Sequence, residues 1–324
     1  MNQPFARGEM VGVLCGGPSA EREISLRSGQ AVFEALRAAG RPVKLVPLSE
    51  RAGEAKGLIQ AAGIGVAFIA LHGPFGEDGT VQALLETLGI PYTGSSVEAS
   101  RYAMDKIFSR RRWAAAHLPI PQWRLAEGIN AESRAQGMRF PLVIKPVGQG
   151  SSFGISFVDT PQQFAEGIRR AAEYGDRVIL EEFLSGVELT VGILEGRALP
   201  VIQVVPKRRY YDTVAKYEPG MCSYLVPAPL SDAAARTAQT LALAAHEALG
   251  CGAFSRVDMI WTAERGPVLL EINTIPGMTA SSLLPKAAAE AGIDFQTLCL
   301  KMLDSATARL SAAGSAGGGG DLNG

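Results

Sequence analysis

Short apolar runs rich in β-branched residues recur through the first third of the chain, separated by Ala-rich stretches of helical period. Residues 11–15, 43–48 and 66–71 are such runs, and their alternation with helical segments predicts a parallel α/β sheet. Val81, Leu84, Leu85 and Leu88 recur at three- and four-residue spacing before Gly89. That spacing predicts an amphipathic helix over 80–88 with a glycine stop. Pro119 and Pro121 interrupt residues 113–123 and mark a crossing between domains or the lead into a new sheet.

The pattern then changes. Residues 142–146 and 153–158 read as strands flanking Gly148-Gln149-Gly150-Ser151-Ser152, and 178–183 as another. Thr160-Pro161-Gln162-Gln163 has the form of a capping box with proline at the first helical position. The helix it opens is expected to run to about Tyr174, with Phe164 and Ile168 inward. Residues 188–194 and 200–205 read as a hairpin in a third unit. The expected divisions are 1–104, 105–187 and 188–310. The tail 311–324 is dominated by Gly, Ala and Ser and is expected to stay unordered, because it offers too little apolar surface to bury.

At 324 residues, 47% hydrophobic and 19% charged, the chain exceeds one typical unit of about 150 residues. The 31 basic and 32 acidic side chains leave a net charge of -1, so there is no general electrostatic attraction to nucleic acid or anionic membrane. Small neutral or zwitterionic ligands fit better. Cys15, Cys222, Cys251 and Cys299 lie far apart without CxxC spacing and read as reduced core thiols. Neither a leader-like start nor an apolar run of about 20 residues is present, which gives a cytoplasmic expectation.

The first chemical signal is a pair of apolar strands that carry charges. Arg256 and Asp258 lie on one, Glu271 and Asn273 on the other, joined by the polar turn 262–266. A turn centred between Glu264 and Arg265 sets Asp258 opposite Glu271 and Arg256 opposite Asn273, all on one face. Opposed carboxylates repel, so a cation is expected between them, and oxygen ligands of this kind suit magnesium. The Ile, Leu and Val neighbours argue against a solvated face. Ile144-Lys145-Pro146 followed by the Gly/Ser loop has the makings of a phosphate clamp, although a plain hairpin turn fits that segment equally well. It is neither a Walker A loop nor a GxGxxG fingerprint, which removes the support for a dehydrogenase. Glu21, in Gly16-Gly17-Pro18-Ser19-Ala20-Glu21-Arg22-Glu23, and His72 both follow strands of the first sheet. Ligands gather at that edge of an α/β sheet, and Glu21 is a candidate anchor for a cationic group, although a helix N-terminus capped by Ser19 fits that segment equally well and a lone histidine is more often a structural hydrogen-bonder.

Read together, four segments resemble the D-alanine-D-alanine ligases of the ATP-grasp superfamily. They are 16–25, His72-Gly73 with Glu77-Asp78-Gly79, Tyr211-Asp212 with Ala215-Lys216-Tyr217, and Glu271-Ile272-Asn273-Thr274-Ile275-Pro276-Gly277-Met278-Thr279. The match runs in order from about Val11 to Leu303. It implies a three-domain ATP-grasp architecture, α/β at the N-terminus and α+β in the catalytic half, with ATP held between the central and C-terminal sheets. Further implications are magnesium or manganese, D-alanine as substrate, a homodimer, and a place in peptidoglycan precursor synthesis in the cytoplasm.

By position, Lys106 and Lys145 resemble the phosphate lysines, with Ser151 and Ser152 in the covering loop and Lys216 nearby. Glu181, Glu182 and Leu184 resemble the adenine edge, and Glu188 the ribose ligand. Asp258, Glu271 and Asn273 match the metal ligands. Glu21 is similar to the anchor of the first D-alanine ammonium, with Ser151 and Tyr217 beside it and His72 in the same site. Ser282 and Leu283 resemble the second carboxylate's site, and Arg256 and Gly277 the oxyanion stabilisers. The resemblance implies attack of a D-alanine carboxylate on ATP, then displacement of phosphate by a second D-alanine amine; because an acyl phosphate hydrolyses when wet, residues 207–221 are expected to form a lid over bound ATP. Pro18 and Val147-Gly148-Gln149 depart from the family's usual residues. Tyr217 favours a dipeptide over a depsipeptide product, and the full set of ligands and lysines favours an enzyme over a nucleotide-binding regulator.

Overall fold

The early apolar runs form β1 (Val11–Gly16), β2 (Val43–Leu48) and β3 (Val66–Ile69) in the computed structural model, which describes residues 9–126, 135–207 and 220–316. The three strands are parallel in the order β2-β1-β3. Around them lie α1 (Arg22–Ala38), α2 (Ala55–Ala62), α3 (Thr80–Thr87) and α4 (Val97–Met104). Val11 and Val13 face Val32 and Leu36 of α1, whereas Leu14 and Ile69 face Ile59 and Leu85 of α2 and α3. A strand covered on both sides needs apolar residues at successive positions, which is why β1 and β3, buried throughout, read as continuous runs, whereas edge strand β2 exposes Lys44 and Pro47.

Asp105 opens α5 (Lys106–Ala115) by accepting bonds from the Ile107 and Phe108 amides. Prolines 119 and 121 then lead into a new sheet of β4 (Trp123–Ala126), β5 (Leu142–Pro146), β6 (Ser156–Val158) and β7 (Val178–Glu182). It is antiparallel, ordered β4-β7-β5-β6. The strand expected over 153–158 begins only at Ser156, because Ser151, Ser152 and Gly154 take left-handed φ of 54°, 61° and 72° that no strand accommodates. The capping box at Thr160 and Gln163 is present, with Pro161 opening the turn into α6 (Phe164–Ala172).

The third sheet comprises β8 (Val187–Leu194), β9 (Arg197–Ala198), β10 (Ile202–Pro206), β11 (Cys222–Leu225), β12 (Phe254–Thr262) and β13 (Gly266–Asn273). Its order is β11-β10-β8-β12-β13, with β9 against β8, and the expected β8/β10 hairpin pairs Ile202 with Thr190. One face packs on α7 (Asp232–Ala248), through Leu241 and Ala245 against Val191 and Val257. The other meets α8 (Leu283–Glu290) and α9 (Phe295–Ala316), which share a single core with β1 and α1. Residues 311–316, expected to be unordered, continue α9; alanine has the highest helix propensity and extends an already nucleated helix at little cost. Residues 317–324 lie outside the described residues. All four cysteines are free, but only Cys15 and Cys299 are core residues, while Cys222 and Cys251 are partly exposed. Among the described residues no helix is long and apolar enough to cross a membrane.

Candidate active site

The β12–β13 hairpin brings its charges together as expected, by a different route. Its tip pairs Thr262 with Gly266 and so centres on Glu264. A bulge beside Asp258 leaves Leu270 without a partner and restores Asp258↔Glu271 and Arg256↔Asn273. Arg256 holds both oxygens of Asp258, Nε at 2.9 Å and Nη2 at 2.7 Å. Thr190, opposite Asp258 on β8, donates its hydroxyl to the same carboxylate. Asn273 Oδ1 accepts the Ile275 amide at 2.8 Å, and Glu271 Oε2 lies 4.0 Å from Lys106 Nζ.

Lys106 starts α5 and donates to the Gln149 carbonyl at 2.5 Å, fixing the Gly/Ser loop. Burial lowers its pKa to about 8 although Glu271 opposes the shift. Register makes Lys145 of β5 and Glu181 of β7 diagonal neighbours on one face, and Nζ meets Oε2 at 2.6 Å. Arg110, one helical turn beyond Lys106, closes on Glu181 Oε1 with Nε at 2.9 Å and Nη2 at 2.7 Å. Burial pushes the Glu181 carboxyl up, but Arg110 and Lys145 outweigh it and hold the pKa below its ordinary value. Glu182 accepts from the Gln122 amide and from Arg265 of the hairpin tip, tying the central sheet to the third. Leu184 follows β7, and Glu188 sits opposite Ile260 near the start of β8.

Glu21 is buried beyond the β1 edge, and the Ser151 hydroxyl donates to its Oε1. The chain reaches it through Gly16 at φ 78°, where a Cβ would fall 2.9 Å from the Leu48 carbonyl. His72 is a brace. Its Nδ1 faces the Ile275 carbonyl at 3.1 Å and Nε2 faces Ser28 Oγ at 2.9 Å, while Ser28 accepts the Met278 amide at 3.2 Å. A carbonyl only accepts, so the proton sits on Nδ1 and the Ser28 hydroxyl donates to Nε2. Burial lowers the His72 pKa and keeps the ring neutral. Glu77, whose Oε1 accepts the Gly73 amide, is pushed well above the usual carboxylate range by burial and then by Glu21. Ser282 accepts the Thr279 amide at 3.0 Å, and Gly277 leaves room for it: a Cβ there would lie 2.7 Å from Ser282 Oγ.

One cavity of about 660 Å³ collects much of this set. Glu21, His72, Lys106, Ser151 and Arg256 border it, together with Glu271, Asn273, Gly277, Ser282 and Leu283. Lys145, Ser152, Glu181, Glu182, Leu184, Glu188 and Asp258 do not form part of its lining. Lys216 and Tyr217, and most of the segment 207–221, lie outside the described residues. Sequence reading missed Arg110, Thr190 and Ser28, and also Arg27, Cys222 and Tyr224 in the cavity wall. Arg110 alone left a usable signal: an arginine four residues after a lysine on the inward face of α5 needs a buried anion.

Two antiparallel sheets, one carrying the buried Lys145 beside a helix that begins at the buried Lys106 and the other opposed carboxylates, joined to a parallel α/β unit that offers a carboxylate to the cavity, define an ATP-grasp protein. The model of the D-ala D-ala ligase C-terminus matches residues 113–304, and that of the N-terminus residues 47–95. A D-alanine-D-alanine ligase from Syntrophotalea carbinolica is 44% identical over 314 residues, 95% of this chain and 100% of that one. One from an Anaeromyxobacter species is 43% identical over 302 residues, 92% and 97% of the two chains. The Bacillus anthracis D-alanine-D-alanine ligase superposes with a TM-score of 0.83 at 32% identity, covering 95% of this chain and all of that one. The same enzyme complexed with ATP gives 0.79 at 29%, over 95% and 100%. The chain belongs to the D-alanine-D-alanine ligase family.

Proposed function

We propose that this chain joins two D-alanine molecules at the expense of ATP, through a D-alanyl phosphate, to supply peptidoglycan precursors. The observation that carries the reading is one cavity whose lining includes buried Glu21 together with Lys106, Arg256 and Glu271. It offers a zwitterion a carboxylate, Glu21, for its ammonium and cations for its carboxylate.

In the first step the carboxylate of that D-alanine attacks the γ-phosphorus, and ADP leaves. Two like unit charges 4 Å apart repel by about 4 kcal/mol at an effective dielectric of 20. Lys106, Lys145 and Arg256 offset that repulsion, and positioning by Glu21 and Ser151 supplies the rest. In the second step the amine of another D-alanine, its carboxylate near Ser282 and Leu283, attacks the acyl carbon and phosphate leaves. The Arg256 guanidinium and Gly277 N–H are the fixed donors for the oxyanion that develops. Glu271 and Asn273 line the cavity, and Asp258, outside its lining, pairs directly with Glu271 across the two strands; the three are hard oxygen donors, two carboxylates and an amide. They fit a magnesium ion, which takes one or two carboxylates and completes its shell with water and phosphate oxygens. Held there, such an ion would supply neutralisation of the nucleotide's phosphate charge.

The test is a coupled ADP assay over D- and L-alanine with and without magnesium, with the product identified by mass. ADP release with D-alanyl-D-alanine formation, lost with L-alanine or with chelator, is expected. ATP binding without D-alanine-dependent ADP release would overturn the reading.

A further inference from the structure

Arg110 has no exposure at all to solvent, and both bonds of its guanidinium go to one oxygen, Glu181 Oε1. Its Nη1 has no partner among the described residues. Burying a guanidinium that incompletely paired is costly, so its placement needs a reason. Neutralising Glu181 is not a sufficient one, because Lys145 already salt-bridges Oε2 at 2.6 Å.

The charge of the triad supplies the reason. Glu181 with Lys145 alone is neutral, and a neutralised lysine has little attraction left for phosphate. With Arg110 the triad carries one net positive charge. The carboxylate is divided between two cations, one oxygen each, and Lys145 is steered from one side. Resting on the reading that this chain binds ATP, we propose that Arg110 is a positioning residue for nucleotide binding, acting through Glu181 to aim Lys145 and preserve its charge for the phosphates. It touches no substrate itself.

The prediction separates nucleotide from amino acid. Arg110→Met keeps much of the volume and removes the charge. ATP affinity, measured by calorimetry without turnover, is expected to weaken about ten- to hundredfold. The KM for D-alanine should stay within about twofold. Arg110→Lys, which keeps the charge and one donor, should recover most of the loss. Arg110→Met combined with Glu181→Gln, which returns the net positive charge, should bind ATP more tightly than Arg110→Met alone. A merely structural arginine would lower the melting temperature and leave the ratio of ATP to D-alanine affinities unchanged. Unchanged ATP affinity in folded Arg110→Met, or no difference between the Met and Lys variants, overturns the proposal alone. Failure of the unaltered chain to bind ATP overturns both this proposal and the ligase reading.

Discussion

Alanine at Gly73 tests how tightly the amino-acid anchor is held. Gly73 has φ 72°, and a Cβ there would stand 2.8 Å from Glu21 Oε2 and closer still to Ser19 Oγ. The left-handed conformation alone costs a side-chain-bearing residue about 1–2 kcal/mol. The larger effect is on Glu21, whose carboxylate must move by several tenths of an ångström to restore contact. It is buried and tied to Ser151, so it has little room to follow a substrate ammonium back. Loss of one charge-assisted hydrogen bond is worth about 1.5–3 kcal/mol, a factor of about 10 to 150. Steady-state ADP release, with D-alanine and ATP varied in turn, should therefore show the KM for the first D-alanine raised by that factor. The KM for ATP should stay within about twofold, and the melting temperature should fall by a few degrees. A lowered melting temperature with both KM values unchanged would refute the placement of Glu21 as the anchor.

Asp258→Asn and Glu271→Gln should each lower D-alanine-dependent ADP release by about 10²-fold or more with the circular dichroism spectrum retained; a variant above a tenth of full activity contradicts their role. Burial lowers the pKa of His72 and of His246, which pairs with Ser255 at 2.7 Å. Between the depressed folded values and the ordinary 6.5 the unfolded chain binds more protons, so this stability is full above about pH 6.5 and is lost as pH falls below it. Each unit of depression corresponds to about 1.4 kcal/mol, and His246→Gln should flatten the fall in melting temperature between pH 7.5 and 5.5. Burial raises the pKa of all four thiols, Cys15 to about 11 and Cys251 and Cys299 to about 12, but Cys222 is partly exposed and borders the cavity. Alkylation at pH 8.5, followed by peptide mapping, should reach Cys222 first and slow when ATP and D-alanine are added; earlier labelling of Cys299 would contradict that ordering.

The parts of the molecule legible from sequence were those set by local periodicity. β1 and β3 are legible because strands covered on both sides need consecutive apolar residues. The opposed acids were legible because period two and a short turn leave few registers, although the route was not: the half-residue error at the Glu264 tip and the bulge at Leu270 cancel. Partnerships between distant segments were not legible. Glu181 finds Arg110 71 residues earlier, and Asp258 finds Thr190 68 residues earlier, through sheet and helix packing that no window of sequence contains. The start of β6 was misplaced because the left-handed serines of the loop carry no compositional mark. Residues 311–316 read as unordered because composition ignores a helix already running into them.

The shared core of α1 and α9 sets a constraint on biogenesis. Val32 and Leu36 of α1 share a core with Leu298, Met302 and Leu303 of α9, about 260 residues later in the chain. A nascent chain must carry that apolar flank of α1 uncovered until α9 has been synthesised, because contacts this distant in sequence form late. Premature termination before residue 298 would therefore yield an aggregation-prone fragment even with every residue of the first sheet in place.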